Sequence, residues 1–156
     1  NEKYIADAIY CNDRSVSSGT GIGTTNTTYA AQRRENNGTP TLKCTNNNDK
    51  FTKSTTTGNG KLTKMIGLIT TDEVMYAGGT TSVNKEYYLY SGYWYWTMAP
   101  YLSASGSAYV YYVGNSGNLS FNRVGYTNGA VRPVVSLKSD AISGGSGTAA
   151  SPFLVG

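Results

Sequence analysis

The chain has 156 residues, a net charge of +4, no histidine and two cysteines, and only 14% of its residues are charged. That length suits one domain with a real core. The missing histidine removes the commonest general base and metal ligand, so a binding or surface protein is expected ahead of an enzyme.

Gly, Ser, Thr and Asn supply 69 residues. Aromatic and β-branched residues are also plentiful, so the composition is not that of a disordered chain. Many short strands joined by turns are expected. Seven basic residues fall between Arg33 and Lys64, scattered among Asn and Thr. They occupy a different stretch from the aromatics, which argues against a base-stacking platform and a nucleic-acid partner.

Taken in chain order, residues 3–11 place Tyr4, Ile5, Ala8 and Ile9 at helical spacing and read as the tail of a helix. The chain opens abruptly with NEKYIADAIYCNDRS, without a visible signal peptide or membrane span, and is expected to be a mature or truncated fragment. From Asn12 to Gly60 turn signals dominate, anchored by Tyr29, Leu42 and Phe51. Lys61–Ile69 reads as a buried strand. TTDE then forms a capping box from Thr70 to Glu73, opening a short helix Thr71–Ala77 that ends at Gly78-Gly79. The Asp72–Glu73 pair is expected to serve the positive end of that helix rather than catalysis.

Eleven aromatic residues follow between Tyr87 and Tyr112. Tyr93–Met98 reads as a strand that Pro100 ends. On it the Trp94/Trp96 pair is expected to face the core and the Tyr93/Tyr95 pair to face outward. Ala108–Val113, the loop Gly114–Asn118 and Leu119–Val124 read as a β-hairpin, with another turn at Tyr126–Gly129. Ala130–Leu137 reads as a strand interrupted by Pro133, and Phe153–Val155 as a short closing strand.

Cys11 and Cys44 are too far apart in sequence for a CxxC site, and no histidine can complete a zinc site. A disulfide is the favoured reading and two free core thiols the alternative. A disulfide would add roughly 3–4 kcal/mol by constraining the unfolded chain and would imply an oxidising setting outside the cell. Asn46–Asp49 does not match a calcium loop. No metal or cofactor is expected.

Several segments, in this order, resemble a poorly characterised group of exported surface proteins of Gram-positive and gut bacteria. They are IADAIYCNDRS, TLKC, GLITTDEVMYAGG, YYLYSGYWYWTMAPY, VYYVGNSGNLSFNRV, GAVRPVVSLKSD and GGSGTAASPFLV. In that group the half containing WTMAP and VRPVVSL is similar to the C-type-lectin-like fold shared with formylglycine-generating enzymes, and some relatives are pilin-like. The resemblance implies an α+β, strand-dominated lectin-like core over 61–156 and a loop-rich, disulfide-tied half over 1–60, together forming one domain. Cys11 and Cys44 lie outside the lectin-like half, which argues against formylglycine chemistry. The calcium-lectin motifs are absent.

Arg132, within VRPVV, needs partners if it is buried. It reads as a core arginine held by a carboxylate or carbonyls, with a ligand anchor as the alternative. The loops Tyr101–Ser107 and Asn122–Asn128 are the recognition candidates, through Tyr101, Ser103, Ser105, Asn122, Arg123, Tyr126 and Asn128. No histidine can activate a serine, no GxSxG elbow occurs, and no catalytic residue is named. The expected function is extracellular recognition or adhesion. The expected partner is a host or neighbouring-cell protein or glycan, or other copies of the chain, with membrane attachment only through a segment outside it. The alternative is a structural subunit of a pilus-like filament or surface layer.

Overall fold

The computed structural model describes residues 2–54, 56–58 and 62–156. Residues 3–11 are not a helix. Glu2–Tyr4 forms one 3-10 turn, after which the backbone extends. Ala6 N–H donates to Ser136 O at 2.8 Å and Lys138 N–H to Tyr4 O at 3.0 Å, with a bridge between Ile5 and Leu137. Strand β1, Tyr10–Cys11, then pairs antiparallel with β4, Lys50–Phe51. A helix here would have to bury Ile9, which is 56% exposed, whereas Tyr10 is 7% exposed. Pairing with distant backbone overrides the local spacing.

Within the stretch 12–60, residues 12–54 are more regular than the turn signals imply. They hold β2 (Val16–Ser18), β3 (Thr27–Tyr29) and an unforeseen helix, α1 (Ala30–Asn37). The run AAQRRE is made of good helix formers. Gly38 adopts φ 64° at the C-terminus, where left-handed backbone suits glycine. At the other end no side chain caps the helix; the Ala30 amide donates to Ser15 O at 2.8 Å. Of the three expected anchors, Tyr29 and Phe51 are half-buried, while Leu42 is 68% exposed. The expected bond exists: Cys11 and Cys44 are joined, with Cα atoms 5.9 Å apart.

Lys61 lies outside the described residues, and the strand expected there is only β5, Gly67–Leu68. Helix α2, Thr71–Tyr76, carries both halves of the capping box, and Gly78 at φ 102° closes it. The core is built on a five-stranded antiparallel sheet, in the order β2-β3-β6-β7-β8, which takes β2 and β3 from the first half of the chain. Its three long members are β6 (Tyr95–Ala104), β7 (Ser107–Val113) and β8 (Leu119–Arg123). The β7–β8 hairpin is as expected. A second, tighter hairpin joins β6 to β7 through Ser105 and Gly106, with φ 50° and 75°, the positive values a two-residue turn demands.

Pro100 does not end β6. The strand passes through it with register shifts on both sides, and β3 begins to pair only at Leu102. The missing amide therefore faces no ladder partner.

The expected orientation of the aromatic strand is reversed. Tyr95, Thr97 and Ala99 point into the core at 2%, 4% and 5% exposure. They pack with Tyr111, Val113 and Leu119 from β7 and β8, and with Ala31, Ile69 and Val74 from the layer above. Trp94 and Trp96 take the outer face, half-buried, and Tyr93 is exposed. The tail adds two small sheets. β9 (Pro133–Val134) pairs with β5, and β10 (Ile142–Gly144) pairs with β11 (Leu154–Val155). The architecture is α+β and strand-dominated. Among the described residues no helix is long and apolar enough to cross a membrane.

Candidate functional site

The outer face of the sheet carries the most distinctive surface. Trp94 meets Trp96 at 5.1 Å between ring centroids, Tyr112 at 5.0 Å and Tyr126 at 5.6 Å. Tyr126 reaches this group because the segment after β8 folds back along β6. Trp96 N–H donates to Ala130 O at 3.1 Å, and Ala130 N–H to Trp94 O at 3.3 Å. Gly129 permits the approach: a Cβ there would lie 2.3 Å from Trp96 Nε1 and 2.5 Å from the Trp94 ring.

Three shallow concavities join into one furrow. A notch of 190 Å³ is walled by Trp94, Tyr112 and Tyr126, with Asn115, Asn118 and Asn122 between them. It opens across Asn122 and Tyr126 into a groove of 400 Å³ bordered by Gly106–Ala108. That groove continues past Ser107 into a recess of 170 Å³ beside Ser103 and Thr24. Asn122 Oδ1 accepts from the Arg123 amide. Among the described residues, the amides of Asn115 and Asn118 and the hydroxyls of Tyr112 and Tyr126 have no protein partner, and none of these atoms is buried. Polar groups beside open ring edges are thus free to bind.

The expected recognition residues divide between two surfaces. Asn122 and Tyr126 line the notch, Asn122, Arg123 and Tyr126 the groove, and Ser103 the far recess. Tyr101 and Ser103 lie on β6 rather than in a loop, and Ser105 forms the tight turn, its amide 3.4 Å from Asn26 Oδ1. The Tyr101 ring stacks on Phe121 at 3.8 Å and meets Tyr111 edge-on at 5.0 Å, which fastens it to the core side of the sheet. Arg123 pairs with Tyr109 across the ladder, as Asn122 pairs with Val110, so the two side chains leave opposite faces. The guanidinium donates to the Tyr109 hydroxyl at 3.3 Å. Asn128 is exposed in the turn and lines none of the three concavities. Trp94 was expected in the core, with a sugar-stacking platform only as the alternative, and Tyr112, Asn115 and Asn118 were not foreseen; the signal was the adjacency of YYV and GNSGN, read only as strand and turn.

A more enclosed pocket of 210 Å³ lies on the other side, lined by Cys11, Asp13, Arg34, Asp72 and Glu73 among others. Its acids are occupied. Arg34 donates to both oxygens of Asp72 at 2.6 and 2.8 Å and to Asp13 at 2.8 Å. The Thr41 amide also donates to Asp72, at 2.9 Å, and Glu73 accepts from the Thr70 amide at 2.7 Å. Burial pushes the Asp13 carboxyl up, but hydrogen bonds from Ser15 and the ion pair with Arg34 outweigh it and hold it below the ordinary value. Glu35, without such a cation, is pushed up by burial. Arg132 donates to the Leu89 carbonyl and lies 5.1 Å from the Tyr95 ring centroid, the partners a half-buried guanidinium needs.

No protein-family model, no curated protein and no solved structure matches the chain.

Proposed function

We propose that this chain is an extracellular recognition or adhesion module of a bacterial cell surface, with a C-type-lectin-like core, that binds a protein or glycan through the outer face of its sheet. The carrying observation is the continuous furrow, where Trp94, Tyr112 and Tyr126 stand beside unpartnered asparagine amides. Tyrosine gives contact area at low entropy cost, and amides adapt their hydrogen bonds. Hairpins on both sides hold these groups rigidly. The disulfide is compatible with an oxidising, extracellular location, and the strand-dominated α+β layout supports the lectin-like reading. The acids of the enclosed pocket serve structural bonds, which favours a binder over a hydrolase. The test is an array of glycans and host proteins probed with the purified domain. Binding is expected, and Tyr126→Ala is expected to abolish it. A ligand bound equally by that variant removes the furrow from the account.

A second reading, a subunit of a pilus-like filament or surface layer, has its own observation. Val131, Val135, Leu137, Ile142, Phe153, Leu154 and Val155 are each 41–69% exposed, and exposed apolar groups of this kind mark contact surfaces. Concentration-dependent assembly seen by light scattering and electron microscopy, abolished by Leu154→Asp, supports that reading. A strictly monomeric chain removes it.

A further inference from the structure

We infer that the ligand of the furrow is a neutral oligosaccharide, with one sugar ring seated in the notch between Trp94, Tyr112 and Tyr126 and the rest of the chain running past Asn122 toward Ser107. This rests on the recognition reading above and narrows its ligand to one chemical class.

Charge decides first. Among the described residues, the only charged one lining the three concavities is Arg123, and its guanidinium is turned to Tyr109. An acidic polysaccharide or a nucleic acid would find no cation in the notch, and a basic peptide no carboxylate. Each would lose solvation of its charge without a compensating partner. An uncharged ligand carries no such cost.

The second ground is the pairing of surfaces. A sugar ring has an apolar C–H face and a rim of hydroxyls. The three ring systems offer apolar faces and edges, while Asn115, Asn118 and the Asn122 Nδ2 group offer donors and acceptors within the same notch. An amide presents a donor and an acceptor side by side, the complement of two neighbouring hydroxyls. These polar groups are hydrated in the free protein, so a hydroxyl replaces a water at little cost.

Third is shape. The notch of 190 Å³ is smaller and less open than the adjoining groove of 400 Å³. A flat, protein-sized contact of about 800 Å² per partner needs a broader surface than this furrow provides. A narrow chain of small rings fits a notch that continues into a groove.

The experiment is titration of the purified domain with short neutral oligosaccharides (gluco-, xylo-, manno-, galacto- and chito-series) and with acidic ones (oligogalacturonate and hyaluronan fragments). It is followed by tryptophan fluorescence and calorimetry. At least one neutral series is expected to bind and to change the fluorescence of Trp94 and Trp96, nearly independently of salt. Tyr126→Ala and Asn118→Asp are each expected to weaken it at least about tenfold, the factor that separates one step on the affinity scale. Glu2→Gln, at a residue that lines none of the three concavities, is expected to leave it unchanged. Near-ultraviolet circular dichroism confirms that each variant is folded. Salt-sensitive binding of the acidic series alone, lost in Arg123→Gln, overturns the neutral class while leaving recognition standing. So does a protein ligand lost in Tyr126→Ala. Neutral binding that survives both furrow variants overturns the placement. Silence toward sugars and proteins alike overturns the inference and the recognition reading together.

Discussion

Replacing Asp72 by asparagine tests the ionic knot that ties the first half of the chain to the sheet. Asp72 is 4% exposed and sits in the first turn of α2. Its Oδ1 accepts from Arg34 Nε at 2.6 Å and from the Thr41 amide at 2.9 Å, and its Oδ2 accepts from Arg34 at 2.8 Å. One carboxylate thus joins α1, α2 and the segment that leads to Cys44. Asparagine keeps an acceptor for the first two bonds but turns its Nδ2 donor toward the third, where two N–H groups would face each other. A lost hydrogen bond to a charged group is worth about 1.5–3 kcal/mol, and the lost negative charge at a helix N-terminus about 0.3–1 kcal/mol. Arg34 retains Asp13 at 2.8 Å, so the penalty stays below that of a fully orphaned buried cation, about 3–5 kcal/mol. The expected loss is therefore about 3 kcal/mol, a drop in Tm of about 6–12 °C for a chain of this size. Urea unfolding followed by tryptophan fluorescence measures it. Glu2→Gln is the control, because Glu2 and Lys64 form an ion pair at 2.6 Å in which both side chains are more than half exposed; the unfolding midpoint is expected to move little. A loss below about 1 kcal/mol in Asp72→Asn, or equal losses in the two variants, refutes the reasoning that the knot fastens the domain.

Three further outcomes are expected. Reducing Cys11–Cys44, whose separation is 33 residues, should lower stability by about 3.7 kcal/mol in the chain-entropy model; an unchanged urea midpoint under reductant counts against it. Gly129→Ala should cost about 1–3 kcal/mol by overpacking and alter the near-ultraviolet spectrum, since its Cβ would meet Trp96 and Trp94 inside 2.6 Å; a native-like spectrum contradicts the close approach. Burial pushes Tyr10, Tyr95 and Tyr111 up, and Tyr87 up to about 12. The unfolded chain loses those protons first, near the ordinary tyrosine value of about 10. Stability is therefore intact below that pH and falls as pH rises toward about 12, which unfolding curves collected across the alkaline range will show or deny.

What could be read without coordinates was local. The capping box from Thr70 to Glu73 is complete within four consecutive residues, and the hairpin around Gly114–Asn118 carries its turn chemistry in the loop itself. Helix α1 was hidden because its first amide is satisfied by Ser15 O, from the residue before β2, rather than by a capping side chain. Pro100 misled for a similar reason: whether a strand tolerates proline depends on which neighbour its amide would have faced, and β3 starts beyond it. At the site, alternation correctly separated Trp94 and Trp96 from Tyr95 but carried no sign for inside and outside, and Tyr93, before the start of β6, stays exposed as expected. Alternation likewise points Tyr101 toward Tyr111 and Phe121, away from the groove that Asn122, Arg123 and Tyr126 line.

The reversal of the two faces is what creates the furrow. Tyr95 suits the core because its hydroxyl reaches the Leu89 carbonyl at 3.2 Å and its ring receives Arg132. A one-residue slip of β6 would exchange every inner residue for an outer one and place two indoles where those partners wait. Once the tryptophans are outside, helices α1 and α2 do not cover them, because Ala31 of α1 and Val74 of α2 pack on the inner face with Ala99, Tyr95 and Tyr111. Among the described residues their cover is the returning segment from Tyr126 to Ala130, five residues that leave both indoles half-buried. Gly129 brings that segment down onto Trp94 and Trp96 at one end. At the other end Tyr126 is 45% exposed and stands apart from the loop of Asn115 and Asn118. A large aromatic surface covered by a strap this short must keep an open margin, and the margin lies where the unpartnered amides are.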